Sequence, residues 1–389
     1  MTVITDQERL AAVCAEFAQH PYIAVDTEFM RERTYWPQLC LVQLARPGGG
    51  SGDAVAIDPV GGELDLKPLF DLMRNPDVVK VFHAARQDVE IFVNLGGVVP
   101  APMFDTQVAA MVCGHGDQVG YETLVRKIAK AQLDKSSRFT DWSRRPLSEK
   151  QVAYALGDVT HLRTIYEKLS AQLKRTGRGA WVAEEMAILT DPETYRVDPE
   201  TAWRRLKPRS GNARFLTAVQ ALAAWREREA QARDVPRNRI LKDDALLEIA
   251  SSRPRTAEEL GQSRLLQREG RKPAAAEAIL AVIAAADASP RNDLAAVQDD
   301  RPEPRPGAGA LVDLLKVLLK AKCDAMDVAQ KLVASSADLD LLANSDDPDI
   351  PALRGWRRDV FGEDAMRLKR GEIALSATPR GVKVVPVAG

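Results

Sequence analysis

Two carboxylates lie inside the apolar run Tyr22-Ile23-Ala24-Val25-Asp26-Thr27-Glu28-Phe29. They constrain the fold of this chain more than any other feature. The run is rich in β-branched and aromatic residues, so it reads as a strand. Side chains alternate faces along a strand. Ile23 and Val25 then face one side, and Asp26 and Glu28 the other. An ionised carboxylate inside an apolar segment is costly unless it is paired or holds a metal. Two of them side by side repel, and one takes up a proton unless a cation sits between them.

Two further acidic elements follow in order. Val78-Val79-Lys80-Val81-Phe82 reads as a strand, and a helix runs through Val89, Ile91, Phe92 and Val93. Asp88 falls in the first turn of that helix, where an acid also favours the helix dipole. Between Gln151 and Leu169 the residues Val152, Ala155, Leu156, Val159, Leu162, Ile165 and Leu169 recur near a 3.6-residue period. Tyr154 and Asp158 are four apart and so stack on one face of this helix. Taken singly, Asp-x-Glu and Tyr-x-x-x-Asp are weak signals. As an ordered set, each in its strand or helix context, they are specific. Four carboxylates and a phenol are what a two-metal phosphodiester hydrolase requires.

On these residues the N-terminal half is similar to the DEDD superfamily of 3′→5′ exonucleases, in the branch with a tyrosine in the last motif. Within that branch it resembles the ribonuclease D family. The segments Val25–Phe29, Thr34–Gln43, His83-Ala84-Ala85, Phe104-Asp105-Thr106-Gln107, Asp141–Leu147 and Tyr154–Val159 carry the match, over about residues 15 to 170. The resemblance implies a ribonuclease H-like fold. It also implies that Asp26, Glu28, Asp88 and Asp158 bind two divalent ions, and that Tyr154 positions the attacking water. Hard oxygen ligands suit Mg²⁺ or Mn²⁺. The expected products are nucleoside 5′-monophosphates, and the expected substrates are tRNA precursors and other small structured RNAs with a single-stranded 3′ end.

Other residues near these motifs have plainer roles to weigh. Asp105 precedes an apolar run and reads as a helix N-cap rather than a ligand. Phe29, Tyr35 and Trp36 are candidates for stacking on bases, with at least one of them expected in the core. Arg138, Arg144 and Arg145 are candidates for phosphate contact against a default of solvated side chains.

A chain of 389 residues suggests two or three domains. The net charge is −1, but it is unevenly spread. Glu200 to Asn292 carries 18 Lys/Arg and 12 Asp/Glu, a net of +6, which leaves −7 for the remainder. An acidic catalytic half with a basic partner module suits metal and phosphate-backbone binding. The four cysteines have no close partners, which argues against a zinc knuckle or disulfide framework and for a reducing, cytoplasmic compartment. Met1 to Leu10 shows no signal-peptide core, and no apolar run reaches the ~18 residues of a membrane span. The expectation is a monomer that uses no membrane and no small-molecule cofactor.

Candidate strands are 22–29, 38–45, 54–58, 78–82 and 98–104. They predict a mixed five-stranded sheet flanked by helices, α/β in class. After Asp191-Pro192 helical patterns dominate and no good strand remains. Trp225-Arg226-Glu227-Arg228-Glu229-Ala230 and Val235-Pro236-Arg237 resemble an HRDC domain, a small helical bundle. Asp299 to Gly309, rich in Pro, Gly and charge, reads as a linker. Gly355-Trp356-Arg357 and Phe361-Gly362 suggest a second HRDC-like bundle, with 13 basic and 12 acidic residues from Arg305 onward. The tail from Ala377 to Gly389 is expected to be disordered. The resulting division is 1–195 exonuclease, 208–290 HRDC and 305–375 second helical bundle, with RNA grip through Lys/Arg as the role of the bundles. Metal-dependent 3′→5′ exoribonuclease is the leading function. A DNA exonuclease with the same chemistry and a non-catalytic RNA-binding scaffold are the rivals.

Overall fold

The computed structural model describes residues 2–50, 52–133, 140–206, 208, 212–267, 269–288, 305–379 and 381–387. Two compact units emerge. The first comprises Met1–Glu28, Cys40–Thr194 and Pro302–Gly389, and the second Phe29–Leu39 and Tyr195–Arg301.

The first unit is built on a mixed sheet of β1 (Thr2–Ile4), β2 (Tyr22–Met30), β3 (Gln38–Ala45), β4 (Ala54–Ile57), β5 (Val79–Phe82) and β6 (Met103–Asp105), in the order β1-β4-β3-β2-β5-β6. β2, β5 and β6 run parallel, with Ala24 opposite Val81 and Phe82 opposite Asp105. β3 and β4 are antiparallel, as the Pro/Gly-rich turn between them predicts. The sheet has six strands rather than five. The added edge strand is three residues long, too short for a periodicity to register. Ile23, Ala24 and Val25 are all buried, so the central strand β2 is covered on both faces.

Helices α1 (Gln7–Phe17), α2 (Lys67–Arg74), α3 (Arg86–Gly96), α4 (Thr106–Val112), α5 (Tyr121–Leu124), α6 (Glu149–Thr176) and α7 (Gly179–Leu189) surround this sheet. α6 opens with a capping box in which Ser148 and Gln151 each satisfy the other's backbone amide. It then buries the stripe Val152, Ala155, Leu156, Val159, Leu162, Ile165, Leu169 and Leu173. That stripe is the one its sequence period announces.

The C-terminal segment belongs to the same unit but has its own apolar core around Leu315, Leu318, Leu342, Ala352 and Phe361. Arg357 fastens it to α7. The guanidinium pairs with both Glu184 and Glu185 and donates to the Leu332 carbonyl at 2.7 Å. Beside it the indoles of Trp356 and Trp181 stack at 4.3 Å. The expected disordered tail is in fact a hairpin, β7 (Ile373–Thr378) paired antiparallel with β8 (Gly381–Pro386). This also corrects the expectation that no strand follows residue 191. Ile373 is buried in the segment's core, which anchors the hairpin. Most of the expected linker, 299–304, lies outside the described residues.

The second unit is helical. α8 (Ala213–Ala232), α9 (Arg237–Ile240), α10 (Asp243–Ser252), α11 (Ala257–Gly261) and α12 (Pro273–Ala288) enclose Leu216, Val219, Leu222, Leu246, Ile249 and Ile279. Its core also takes in Tyr35, from the segment that follows Glu28 in sequence. The Tyr35 hydroxyl bonds to Glu227, which is fully buried, and Arg237 makes a forked contact with the same carboxylate. Arg237 also lies 4.8 Å over the Tyr35 ring. The backbone amides of Tyr35 and Trp36 both donate to Asp234 Oδ1 at 3.0 Å. Burial alone would raise the Glu227 carboxyl, but the bonds from Arg237 and Tyr35 outweigh it and hold it below its ordinary value.

A hydrogen bond to a charged group contributes about 1.5–3 kcal/mol. Tyr35→Phe is therefore expected to destabilise the helical unit by about that amount, read as a lower thermal midpoint of the full chain. An unchanged midpoint would mean that Glu227 is satisfied by Arg237 alone.

Candidate active site

Asp26 sits two residues beyond Ala24, the last register match of β2 with β5. It lies at the carboxyl ends of the parallel strands, where open α/β sheets place their ligands. Glu28 follows two residues on, along the same face. Asp158 projects from α6 toward them. One carboxylate oxygen from each of Asp26, Glu28 and Asp158 lies within 4.8 Å of the others. Burial pushes Asp158 up to about 7. Burial, followed by the charges of Asp26, Asp158 and Asp88, pushes Glu28 up to about 9. Asp26 stands well above the ordinary carboxylate range, first from burial and then from Asp158.

Asp88 is buried in the first turn of α3, as its position in the sequence suggests. It stands beside the trio rather than within it. Its Oδ1 accepts a 2.5 Å bond from the Thr27 hydroxyl. Burial and then the charge of Asp26 raise its carboxyl well above the usual range. Thr27 is thus a partner of Asp88 that sequence reasoning passed over, although it sits between the two acids of the first motif.

Tyr154 lies one turn before Asp158 on α6, with its ring 6.1 Å from that of the buried Trp142. The loop carrying Trp142 is tied down by Arg145. That guanidinium donates to Asp58 Oδ2 at 2.6 Å and Oδ1 at 2.5 Å, and to the carbonyls of Cys40 and Trp142 at 2.8 and 2.7 Å. Arg145 is therefore a half-buried internal clamp rather than the phosphate contact it was a candidate for. Arg144 is exposed and pairs with Asp141. Arg138 lies outside the described residues. Asp105 caps α4 as expected, accepting from Gln107 N at 2.7 Å. It also takes the amides of Ala84 and Ala85, at 3.0 and 2.8 Å, which fixes the turn into α3. Of the three candidate stacking aromatics, Tyr35 is core and Phe29 and Trp36 are half-buried. Sequence reasoning also missed Tyr121, whose hydroxyl donates to the Gly157 carbonyl at 3.1 Å, next to Asp158.

The donor set fits a divalent cation. It offers hard carboxylate oxygens, gathered and partly buried, whose mutual repulsion only a cation or protons can relieve. The comparisons with known proteins agree. Residues 1–174 match the 3′-5′ exonuclease family model, and residues 215–283 the HRDC domain. A ribonuclease D from Jannaschia sp. (strain CCS1) is 59% identical over 386 residues, covering 99% of both chains. One from Granulibacter bethesdensis is 54% identical, covering 99% of this chain and 96% of the relative.

The chain belongs to the ribonuclease D family.

The crystal structure of Escherichia coli RNase D, described as an exoribonuclease involved in structured RNA processing, superposes with a TM-score of 0.79 at 30% identity. The match covers 95% of this chain and 98% of that one. Family membership decides among the three functional readings. The protein is a 3′→5′ exoribonuclease, with a mixed-sheet exonuclease domain and a C-terminal HRDC domain, and it uses divalent metal. Among the described residues, no helix is long and apolar enough to cross a membrane.

The raised carboxylates make a pH prediction. Without a cation, the folded state holds protons on Asp158 and Glu28 more tightly than the unfolded chain does. Their contribution to stability is full below the unfolded carboxylate pKa, about 4. It is lost as pH rises through about 7 for Asp158 and about 9 for Glu28. The thermal midpoint of metal-free protein should therefore fall between pH 6 and pH 9, less steeply in Glu28→Gln. Added Mn²⁺ should raise the midpoint more at the higher pH. Equal slopes for wild type and Glu28→Gln would show that Glu28 carries no such strain.

Proposed function

We propose that Asp26, Glu28, Asp88 and Asp158 hold two divalent ions, Mg²⁺ or Mn²⁺, and that Tyr154 orients the attacking water. The observation that carries this reading is the convergence of Asp26, Glu28 and Asp158 at the carboxyl ends of the parallel strands. Asp88 stands close enough to raise Glu28 and to feel Asp26. When bound, the ions supply charge neutralisation for the entering and leaving oxygens of an in-line displacement. The protein's own part is positional. β2 presents two carboxylates, α6 a third, and α3 a fourth that Thr27 holds in place. Tyr154, backed by Trp142, offers a phenol one helical turn from Asp158.

The substrate in this reading is RNA with a single-stranded 3′ end, drawn from tRNA precursors and other small structured RNAs. Nucleoside 5′-monophosphates are released one at a time. The domain reading is 1–195 exonuclease, 208–290 HRDC and 305–375 a second HRDC-like bundle. A separate apolar core in each of the two helical segments supports that division. The basic excess of residues 200–292 supports phosphate-backbone grip by the first bundle. The enzyme is taken to act as a monomer in the cytoplasm, where its four buried free cysteines stay reduced.

The decisive assay uses a 5′-labelled tRNA-like transcript with extra 3′ nucleotides, with Mg²⁺ or Mn²⁺, beside a DNA strand of the same sequence. Wild type should give a ladder that shortens by single nucleotides from the 3′ end of the RNA, and Asp26→Asn should give none. Tyr154→Phe should lower single-turnover kcat by about 10²-fold with RNA affinity retained. A ladder that survives Asp26→Asn would remove the carboxylate cluster from the chemistry. Equal trimming of DNA would remove the RNA preference.

A further inference from the structure

Tyr121 and His83 connect the elements that bear the carboxylates, and neither belongs to the set proposed above. Tyr121 opens the short helix α5. Its hydroxyl donates to the carbonyl of Gly157, the peptide that leads into Asp158. Its ring lies 5.5 Å from the imidazole of His83, tilted by 54°. His83 follows β5 directly and precedes Asp88 by five residues. Its Nδ1 lies 3.0 Å from Thr106 Oγ1, and that hydroxyl donates to the Phe82 carbonyl at 2.9 Å. The neighbouring amides of Ala84 and Ala85 are held by Asp105, with Ala84 in the left-handed region at φ 59°. The end of β5 is thus fixed to the start of α4, and Tyr121 bridges from there to α6.

Gly157 lies in mid-helix, where a carbonyl already accepts the amide four residues on. A second donor at that oxygen is not needed for the helix to form. It does matter for where the helix sits. Asp158 repels Asp26 and Glu28, and that repulsion acts to push this turn of α6 away from β2. The Tyr121 hydroxyl is a polar tether on the same turn, and its other end rests on the His83 ring beside the strand that leads to Asp88.

We infer that Tyr121 is a positioning residue that sets the spacing of Asp158 from the carboxylates of β2 and α3, and so tunes cation affinity through the Gly157 carbonyl. This rests on the proposal that Asp158 is a cation ligand. Partners that orient metal ligands typically change affinity by about 10–100-fold when removed.

The test titrates Mn²⁺ into full-length, metal-free protein by calorimetry, without RNA, for wild type, Tyr121→Phe, Tyr121→Leu and Asp158→Asn. Tyr121→Phe removes one oxygen and keeps the ring. It should bind Mn²⁺ about 10-fold more weakly, with an unchanged metal-free thermal midpoint. In trimming assays its kcat should fall at limiting Mn²⁺ and recover in excess, with KM for RNA unchanged. If Tyr121→Phe binds Mn²⁺ like wild type and only Tyr121→Leu is weakened, the ring is packing and the tether is overturned. If Asp158→Asn also binds like wild type, the reading of Asp158 as a ligand fails first. Loss in Asp158→Asn alone overturns the tether and leaves that reading standing.

Discussion

Repulsion among carboxylates is the constraint on which the rest of this architecture depends. Asp26, Glu28 and Asp158 come within 4.8 Å of one another, and Asp88 adds a fourth acid beside them. Burial pushes Asp158 up to about 7, and burial followed by the charges of Asp26, Asp158 and Asp88 pushes Glu28 up to about 9, so without a counter-ion the ionised cluster works against the fold. The surroundings read as a response to that stress. β2 is buried on both faces, α6 is locked by a capping box and a long apolar stripe, and the turn into α3 is held by Asp105. Rigid elements keep these like charges together, in a donor set that fits a divalent cation.

The same logic explains where the arginines go. Arg145 precedes Tyr154 by nine residues, yet it commits its donors to Asp58 and three backbone carbonyls. A guanidinium has five donors in a fixed fork, which suits it to clamp a loop as well as to bind phosphate. Here it clamps the loop whose Trp142 backs Tyr154. Arg357 and Arg237 do comparable work elsewhere. One joins the C-terminal segment to α7, and the other closes the Tyr35–Glu227 network of the helical unit. Against the upward push of burial, the bonds from Arg237 and Tyr35 hold the Glu227 carboxyl below its ordinary value.

Much of this was legible in the sequence. The β2 strand, the helix that bears Tyr154 and Asp158, the first-turn position of Asp88 and the N-cap role of Asp105 all follow from local period and local chemistry. The three-residue strand β1 escaped notice because three residues cannot show a period. The C-terminal hairpin reads as a disordered tail from its own residues, and its anchor is tertiary: Ile373 is buried in the segment's core, with Leu375 and Val384 packed against it. Tyr35 and Trp36 read as possible base-stacking groups. Nothing local says that their amides would meet Asp234, 199 and 198 residues away.

The sequence by itself determined the chemistry: which carboxylates, in which order, on a strand or on a helix. It did so because alternation and the 3.6-residue turn are properties of the backbone, felt within a few residues. The tertiary structure decided the distances. It drew three acids into one cluster and set Asp88 against Thr27. It committed Arg145 to Asp58 and placed Tyr121 at the peptide before Asp158. Those outcomes depend on groups far apart in the chain, whose approach is settled by packing and by the need to satisfy every buried charge and hydrogen bond at once.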